Sequence, residues 1–420
     1  MAALESATND EHTKAQSRLG LGVLYAAAVA GYPLIAAVPI LLTLESRSIS
    51  VPFRAVILAL SIVVLLYSVH KRVLYTGALW VPLVVFWALY LSRMLSDTLF
   101  RPIPLSQPPT EYFLYGFGTC FLPMLALFTR ASDATLRFAL RLTTLVAGIA
   151  VITAMYLGIQ SLLKGDFGSV MSSRFELWTL NPISLGHLGA SLATLALFQL
   201  RSRADRTRGT WIFLVGAVAI GLTCTGVAAS RGPIVALIVN CCFLLFLDWH
   251  EGHRLRVIVA ALIIPLLAIQ GARYLEELGF GVISRVQLAW EDPIRIDLLQ
   301  GALAQFLAHP LMGSSLEERV SLTYPHNTFV ESFMAVGLLG GLAYAAFHVM
   351  ALQRAMRLLI SRPAAGWLAI LCVQYTISAL FSGSVYASNT MWALLAAVVA
   401  NEDRSRTAAG VSPVLDPVLT

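Results

Sequence analysis

The sequence predicts an all-α integral membrane protein with about twelve transmembrane helices and one large loop on the outer face. Of its 420 residues, 58% are hydrophobic and only 12% are charged, and the mean hydropathy is +0.76. Soluble domains carry roughly 25% charged residues, so this composition indicates a polytopic membrane protein. The net charge of +6 favours contact with anionic membrane lipids, and no interleaving of basic and aromatic residues predicts a nucleic-acid partner.

Long apolar runs define the predicted spans, since a transmembrane helix needs about 20 apolar residues. These runs lie at 19–44, 52–69, 75–95, 111–129, 140–163, 183–200, 210–229, 234–249, 256–272, 327–350, 366–382 and 389–400. The first run is too long for the h-region of a cleaved signal peptide. The chain is accordingly divided into a tail (1–18), helices 1–9 (19–270), an outer loop (271–325), helices 10–12 (326–400) and a second tail (401–420).

Basic residues concentrate in every second connection between these spans. The stretches "HKR" (70–72), "RSRADRTR" (201–208) and "RAMRLLISR" (354–362) all fall on one side if the N-terminus is cytoplasmic. Cytoplasmic loops of membrane proteins are enriched in Lys and Arg. We therefore predict that both tails are cytoplasmic and that the 271–325 loop lies on the opposite face.

The outer loop contains its own helical pattern, "EDPIRIDLLQGALAQFLAHPLMG" (291–313). Asp292 is a suitable N-cap, and Pro293 suits the first helical position. Apolar residues recur from Leu298 to Leu307 at helical spacing. Pro310 disfavours a helix before it, so we predict one short amphipathic helix that lies on the membrane or covers a cavity.

Arginines are the main basic residues on the outer side, and four of them are candidate anion ligands: Arg174, Arg231, Arg285 and Arg295. A single arginine near the end of a span often only extends its charge to lipid phosphate. As a group the four arginines indicate a phosphate-binding site, because a guanidinium holds phosphate through paired donors in one plane. Arg295 also falls in the first turn of the predicted loop helix, where backbone N–H groups favour an anion. The set would suit a diphosphate at the membrane surface.

Three polar residues stand where the outer loop enters the tenth span, in "YPHNTFVESFMAVGLLGG" (324–341). His326 is able to exchange a proton near neutral pH, although an interfacial histidine often only bonds to backbone or lipid. Asn327 and Glu331 are four residues apart and are predicted to share a helical face. A glutamate inside a span is costly unless it is paired or hydrated. Gly337 and Gly341 form a G-x-x-x-G spacing, which predicts close approach of another helix.

The sequence predicts neither a metal site nor a cofactor. All five cysteines fall in apolar runs with no metal or redox spacing. No D-x-D or H-E-x-x-H pattern occurs.

The segments "SRGP" (230–233), "RIDLLQGALAQFLAHPLMGSS" (295–315) and "HNTFVESFMAVGLLGG" (326–341) together resemble the O-antigen ligase and polymerase superfamily. The resemblance covers roughly 183–344. It implies a GT-C-like, metal-independent, inverting membrane glycosyltransferase of the bacterial inner membrane, with its active site facing the periplasm. The donor would be a glycan on undecaprenyl pyrophosphate, and for a ligase the acceptor would be a hydroxyl of lipid A–core.

The resemblance also implies roles for the candidate residues. His326 would orient or deprotonate the acceptor, or assist cleavage of the sugar–phosphate bond. Arg231 and Arg295, together with Arg174 and Arg285, would hold the pyrophosphate, and Asn327 and Glu331 would support the site.

Several alternatives stay open at this stage. An O-antigen polymerase would use the same lipid-linked donor but a second carrier-linked glycan as acceptor. A protein-glycosylating ligase is disfavoured, since only a short polar tail follows Ala400. A transporter or lipid flippase would be expected to show charges or Gly/Pro breaks at mid-span in related halves of the chain.

Overall fold

The structure, a computed structural model, describes residues 19–42, 44–163, 181–201, 207–277 and 293–408. The described residues form helices and loops without a β-strand. In chain order the helices are α1 (19–42), α2 (Ser46–His70), α3 (Trp80–Leu95), α4 (109–127), α5 (Asp133–Leu163), α6 (Pro182–Arg201), α7 (Arg208–Val227), α8 (Arg231–His250), α9 (Arg254–Glu277), α10 (Pro293–Ala308), α11 (Thr328–Ser361), α12 (Gly366–Phe381) and α13 (Asn389–Ala408). The all-α prediction is confirmed.

Within the described part of the chain, ten helices are long and apolar enough to cross a membrane. They are α1–α3, α5–α9, α11 and α12. The two other predicted spans, 111–129 and 389–400, coincide with α4 and α13, which are less apolar over their length. Glu111 and two glycines lower the hydropathy of α4, and α13 ends in the charged run "EDRSR" (402–406).

Helix α13 occupies the centre of the bundle. Every residue from Met391 to Ala400 is at most 3% exposed. Trp392 of α13 packs against Phe86 and Trp87 of α3, with ring centroids 5.7 and 5.0 Å away, and against Tyr344 of α11 at 5.7 Å. The apolar run of α13 therefore contacts other helices on all sides, which is why a short run suffices there.

The basic connections lie together at one end of the bundle. Arg362, after α11, donates from Nε to Asp133 Oδ1 at the start of α5, 2.8 Å away. The backbone N–H of Ala131 donates to Asn401 of α13 at 3.1 Å. Arg201, at the end of α6, pairs with Asp248 near the end of α8 at 2.8 Å. We call this the basic end, and the alternation of basic connections along the sequence accounts for it.

The loop helix begins at Pro293 and ends at Ala308, as the sequence predicts. Its proposed cap, Asp292, lies outside the described residues. Helix α9 continues to Glu277, seven residues beyond the predicted boundary at 270. The hydropathy pattern places the boundary too early because "GARYLEE" (271–277) is polar and begins with a glycine, which is a common signal for the end of a helix.

Candidate active site

Helix α11 is broken, and the loop after α10 fills the break. Gly337 has φ 68° and ψ −164°, a conformation that residues with a side chain rarely adopt. Around it, the N–H of Leu338 donates to the carbonyl of Pro310 at 2.7 Å, and the N–H of Ser314 donates to the carbonyl of Met334 at 3.0 Å. The loop carbonyl and amide thus replace partners that the helix loses at the break.

This break corrects the interpretation of Gly337 and Gly341 as a helix-packing motif. A Cβ on Gly337 would lie 2.3 Å from the backbone oxygen of Leu311, so the glycine admits loop backbone and not a second helix. A Cβ on Gly341 would lie 2.4 Å from the ring of Phe333, one turn above the break. A side chain is therefore excluded at Gly337 by the loop backbone and at Gly341 by the Phe333 ring.

Arg93 of α3 holds the break and the loop together. Its Nε donates to the carbonyl of Ala335 at 2.9 Å, and Nη1 donates to Ser314 at 3.1 Å. Nη2 donates to the carbonyls of Met312 and Gly313 at 2.8 and 3.1 Å. A guanidinium has five N–H donors in a fixed plane, and here four carbonyls accept from them.

Two carboxylates fix the next part of the loop. Asp97 lies 3.5 Å from Nη1 of Arg93 and accepts from the N–H of Leu316 at 2.9 Å. Glu317, which is buried, accepts from the N–H of Ser106 at 2.7 Å and from the hydroxyl of Tyr112 at 2.5 Å. The loop that leads to His326 is therefore attached to α3 and to the start of α4.

Sequence reasoning missed Arg93 and Asp97. The available signal was an arginine inside the predicted 75–95 span with an aspartate four residues later. An ionisable side chain inside a membrane span has a high free-energy cost unless it is paired. A spacing of four residues places Arg93 and Asp97 on one face of the helix, where they are able to pair.

Asn327 is the N-cap of α11. Its Oδ1 accepts from the N–H groups of Phe329 and Val330 at 3.0 and 3.1 Å, and its Nδ2 donates to the carbonyl of Leu380 at 3.2 Å. The expectation that Asn327 shares a helical face with Glu331 is therefore wrong, because Asn327 has extended φ and ψ angles and precedes the helix. It orients the entry of the chain into α11.

Glu331 is fully buried and joins three elements. It accepts from the hydroxyl of Tyr90 in α3 at 2.8 Å and from the N–H of Val385, after α12, at 2.9 Å. These contacts satisfy the carboxyl group and support the site without exposing it to substrate.

His326 lies between the loop and the cap of α11. Its φ of 55° is unusual for a residue with a side chain, and such strain is often found at functional sites. The ring is half-buried and contacts the ring of Tyr324 edge-to-face, with centroids 4.6 Å apart.

The C-terminal end of α12 brings the predicted donor-binding residues towards His326. Arg295 Nη1 donates to the carbonyl of Phe381 at 3.2 Å, adjacent to the Leu380 carbonyl that binds Asn327. Arg231 begins α8, and a Cβ built on its neighbour Gly232 would lie 3.6 Å from Cβ of Phe381. Arg295 and the start of α8 therefore lie at the end of α12, where Asn327 also binds. Arg174 and Arg285 lie outside the described residues.

An apolar groove adjoins this group. It has a volume of about 310 Å³ and is lined by Leu303, Phe306, Phe329, Val330 and Phe333. The first two belong to α10, which carries Arg295 near its start, and the others belong to the first turns of α11. Charged and apolar binding surfaces thus lie side by side.

Replacing Gly337 with alanine is expected to lower the thermal stability of the purified protein and to impair function. The new Cβ would overlap the Leu311 backbone and adopt an unfavourable φ, which together separate the loop from α11. Gly216→Ala is the matched control, since a Cβ there meets nothing within 4 Å. Equal melting temperatures for the two variants would contradict this account of the break.

The fold and site define a multi-pass membrane protein that presents arginines and a histidine at one end of its helical bundle. Residues 216–345 match the family model described as O-antigen ligase. A comparison with curated proteins found no match. This match confirms the resemblance drawn from the sequence and supports a bacterial membrane protein that acts on O-antigen. The match contains Arg231, Arg295 and His326, and it does not distinguish ligase from polymerase.

Proposed function

We propose that the protein transfers O-antigen polysaccharide from undecaprenyl pyrophosphate to a hydroxyl of lipid A–core on the periplasmic face of the inner membrane. The observation that carries this proposal is the approach of Arg231, Arg295 and the His326–Asn327 pair to the end of α12. All four residues fall inside the segment that matches the O-antigen ligase family model.

The donor has two parts, and each matches a neighbouring surface. Arg231 and Arg295 would hold the pyrophosphate, since guanidinium binds phosphate oxygens through paired donors. The apolar groove beside Phe306 and Phe333 would receive the first isoprene units of the carrier. Arg174 and Arg285 remain proposed members of the donor site.

The proposed reaction is a single displacement with inversion. The acceptor hydroxyl attacks the anomeric carbon, the bond from that carbon to the pyrophosphate oxygen breaks, and undecaprenyl pyrophosphate leaves. His326 accepts the hydroxyl proton, a role that typically contributes 10²–10⁴-fold to a rate. The arginines offset the charge that develops on the leaving group, so the step is proposed to need no metal ion.

A polymerase would use the same donor and the same displacement, with a carrier-linked glycan as acceptor. A transporter is less compatible with the structure. Helix α11 has the mid-span break that a transporter would show, yet the 310–314 loop and Arg93 fill that break with protein contacts. The break therefore stiffens the loop instead of lining a substrate path.

The surface lipopolysaccharide of a strain lacking this gene tests the proposal. A ligase predicts bare lipid A–core together with polymerised glycan retained on the carrier. Core bearing a single repeat would assign the protein as a polymerase. Unchanged lipopolysaccharide would contradict both activities.

A labelling experiment tests the orientation of the protein in the membrane. Cysteine replacing Val320, which is 92% exposed in the 310–325 loop, is expected to react with an impermeant thiol reagent in intact spheroplasts. Cysteine replacing Lys71, exposed at the basic end, should react only after the membrane is opened. Wild type is the background control, because its five native cysteines lie in apolar segments. The reverse labelling would place the site in the cytoplasm.

A further inference from the structure

A second cavity lies beside Tyr324. It has a volume of about 660 Å³ and is enclosed by α1, α2, α4, the beginning of α6 and the 382–389 segment. Residues of α8, α9 and α10 do not line it. Tyr324 forms part of its wall, and the same tyrosine ring contacts His326 at 4.6 Å. The cavity therefore borders the tyrosine that contacts the candidate base.

The cavity wall is cationic. Arg54 is only 8% exposed, pairs with Glu111 at 3.4 Å, and lies with its guanidinium carbon 4.2 Å from the centre of the Tyr115 ring. Arg47, about two turns before it on α2, is exposed and also lines the cavity. Two guanidinium groups against one carboxylate leave a net positive charge of about one in a polar pocket, which suits an anionic ligand.

Two of the wall helices are widened where they meet the cavity. Residues Ala27–Gly31 of α1 and Leu114–Phe121 of α4 are π-helical, and both segments contribute to the lining. A π-helical turn inside an α-helix is frequently found at functional sites. This feature is independent of the arginines and also indicates a site built to hold a ligand.

We propose that this cavity is the acceptor subsite and that it binds a phosphate-bearing saccharide headgroup, whose hydroxyl reaches His326 past Tyr324. This inference rests on the proposed transferase function and names a separate place for the second substrate. Arg47 and Arg54 would bind the phosphate group, with Arg54 held in position by Glu111 and Tyr115. The acceptor hydroxyl would then reach the anomeric carbon opposite the pyrophosphate, which an in-line displacement requires.

Tyr324 is suited to the boundary between the two subsites. Burial and the nearby carboxylates of Glu331 and Glu317 raise the pKa of its phenol. The hydroxyl thus remains protonated at neutral pH and is able to donate to a sugar oxygen. Its ring meanwhile fixes one edge of the imidazole.

Steady-state transfer by the purified full-length protein tests the assignment with two acceptors, native lipid A–core and the same acceptor after enzymatic removal of its phosphate groups. Arg47→Ala is expected to raise KM for the native acceptor about tenfold or more, because a hydrogen bond to a charged group is lost. KM for the lipid-linked donor should stay within about twofold. Arg101→Ala is the matched control, since Arg101 is exposed after α3 and does not line the cavity.

The dephosphorylated acceptor gives the decisive comparison. If Arg47 binds phosphate, wild type and Arg47→Ala should use the dephosphorylated acceptor with equal KM, and Arg47→Glu should be worse only with the native one. An unchanged KM for native acceptor, as expected if the cavity holds an ordinary phospholipid, would overturn the proposal. An equal loss with both acceptors, or a raised donor KM, would also overturn it. Absence of transfer by wild type would instead reject the proposed function itself.

Discussion

His326→Ala is expected to reduce glycan transfer by about 10²–10⁴-fold, because the variant loses the group that accepts the acceptor proton. Its abundance and melting temperature should stay near wild type. The ring is half-buried, so its removal leaves little buried space. The effect should appear in kcat with purified protein at saturating donor and acceptor.

Two further variants sharpen this result. His326→Gln keeps hydrogen-bonding groups but has no base that titrates near neutral pH, so it should remain severely impaired. His309→Ala is the matched control, since His309 is an exposed histidine at the end of α10 in the same loop. Near-normal transfer by the glutamine variant would show that His326 orients substrate only. A His326→Ala protein that fails to accumulate would assign the residue to folding.

Arg231→Ala and Arg295→Ala are each expected to lower transfer on the order of 10²-fold, because the pyrophosphate loses a preorganised charge partner in the transition state. Lysine at either position should restore little, since ammonium lacks the planar pair of donors. The measurement is kcat and donor KM with a lipid-linked glycan, at equal amounts of membrane-inserted protein.

Arg273→Ala provides the control for the arginine series. Arg273 is exposed near the end of α9, and its loss should leave transfer unchanged. Wild-type kinetics for both Arg231→Ala and Arg295→Ala would remove the arginines from donor binding. Full recovery with lysine would reduce their role to charge alone.

The sequence predicts the helices well because hydropathy responds directly to burial in lipid or protein. The α10 helix was predicted from Pro293 and from its apolar spacing, and the structure confirms its bounds. Counting the spans was less certain. Helix α13 is surrounded by protein, so its apolar run need not be as long as one that crosses lipid alone.

The internal support of the site could not be predicted in the same way. Gly337 and Gly341 fit a helix-packing spacing, yet Gly337 admits a loop that is adjacent only in three dimensions. Arg93 binds carbonyls more than 200 residues away, and a backbone carbonyl leaves no mark in the sequence. Side-chain type can indicate a ligand, but backbone partners depend on the fold.

The candidate site residues show the same difference between side-chain chemistry, which the sequence reveals, and contacts that depend on the fold. Arg231, Arg295 and His326 were selected for their chemistry at the ends of predicted spans, and the structure places their segments around the end of α12. Glu331 is predicted to support the site, and in the structure its carboxylate accepts hydrogen bonds from Tyr90 and from the N–H of Val385. Arg174 and Arg285 stay predictions, since they lie outside the described residues.

The proposed function requires that this protein, without another enzyme, joins a lipid-linked glycan to lipid A–core. The most direct measurement is transfer by purified protein in liposomes containing undecaprenyl-pyrophosphate glycan and lipid A–core, with a chelator present. We predict a product in which the glycan is covalently attached to lipid A–core, formed at the same rate with and without the chelator. Folded wild-type protein that forms no such product, or forms it only when a divalent metal is restored, would contradict the account.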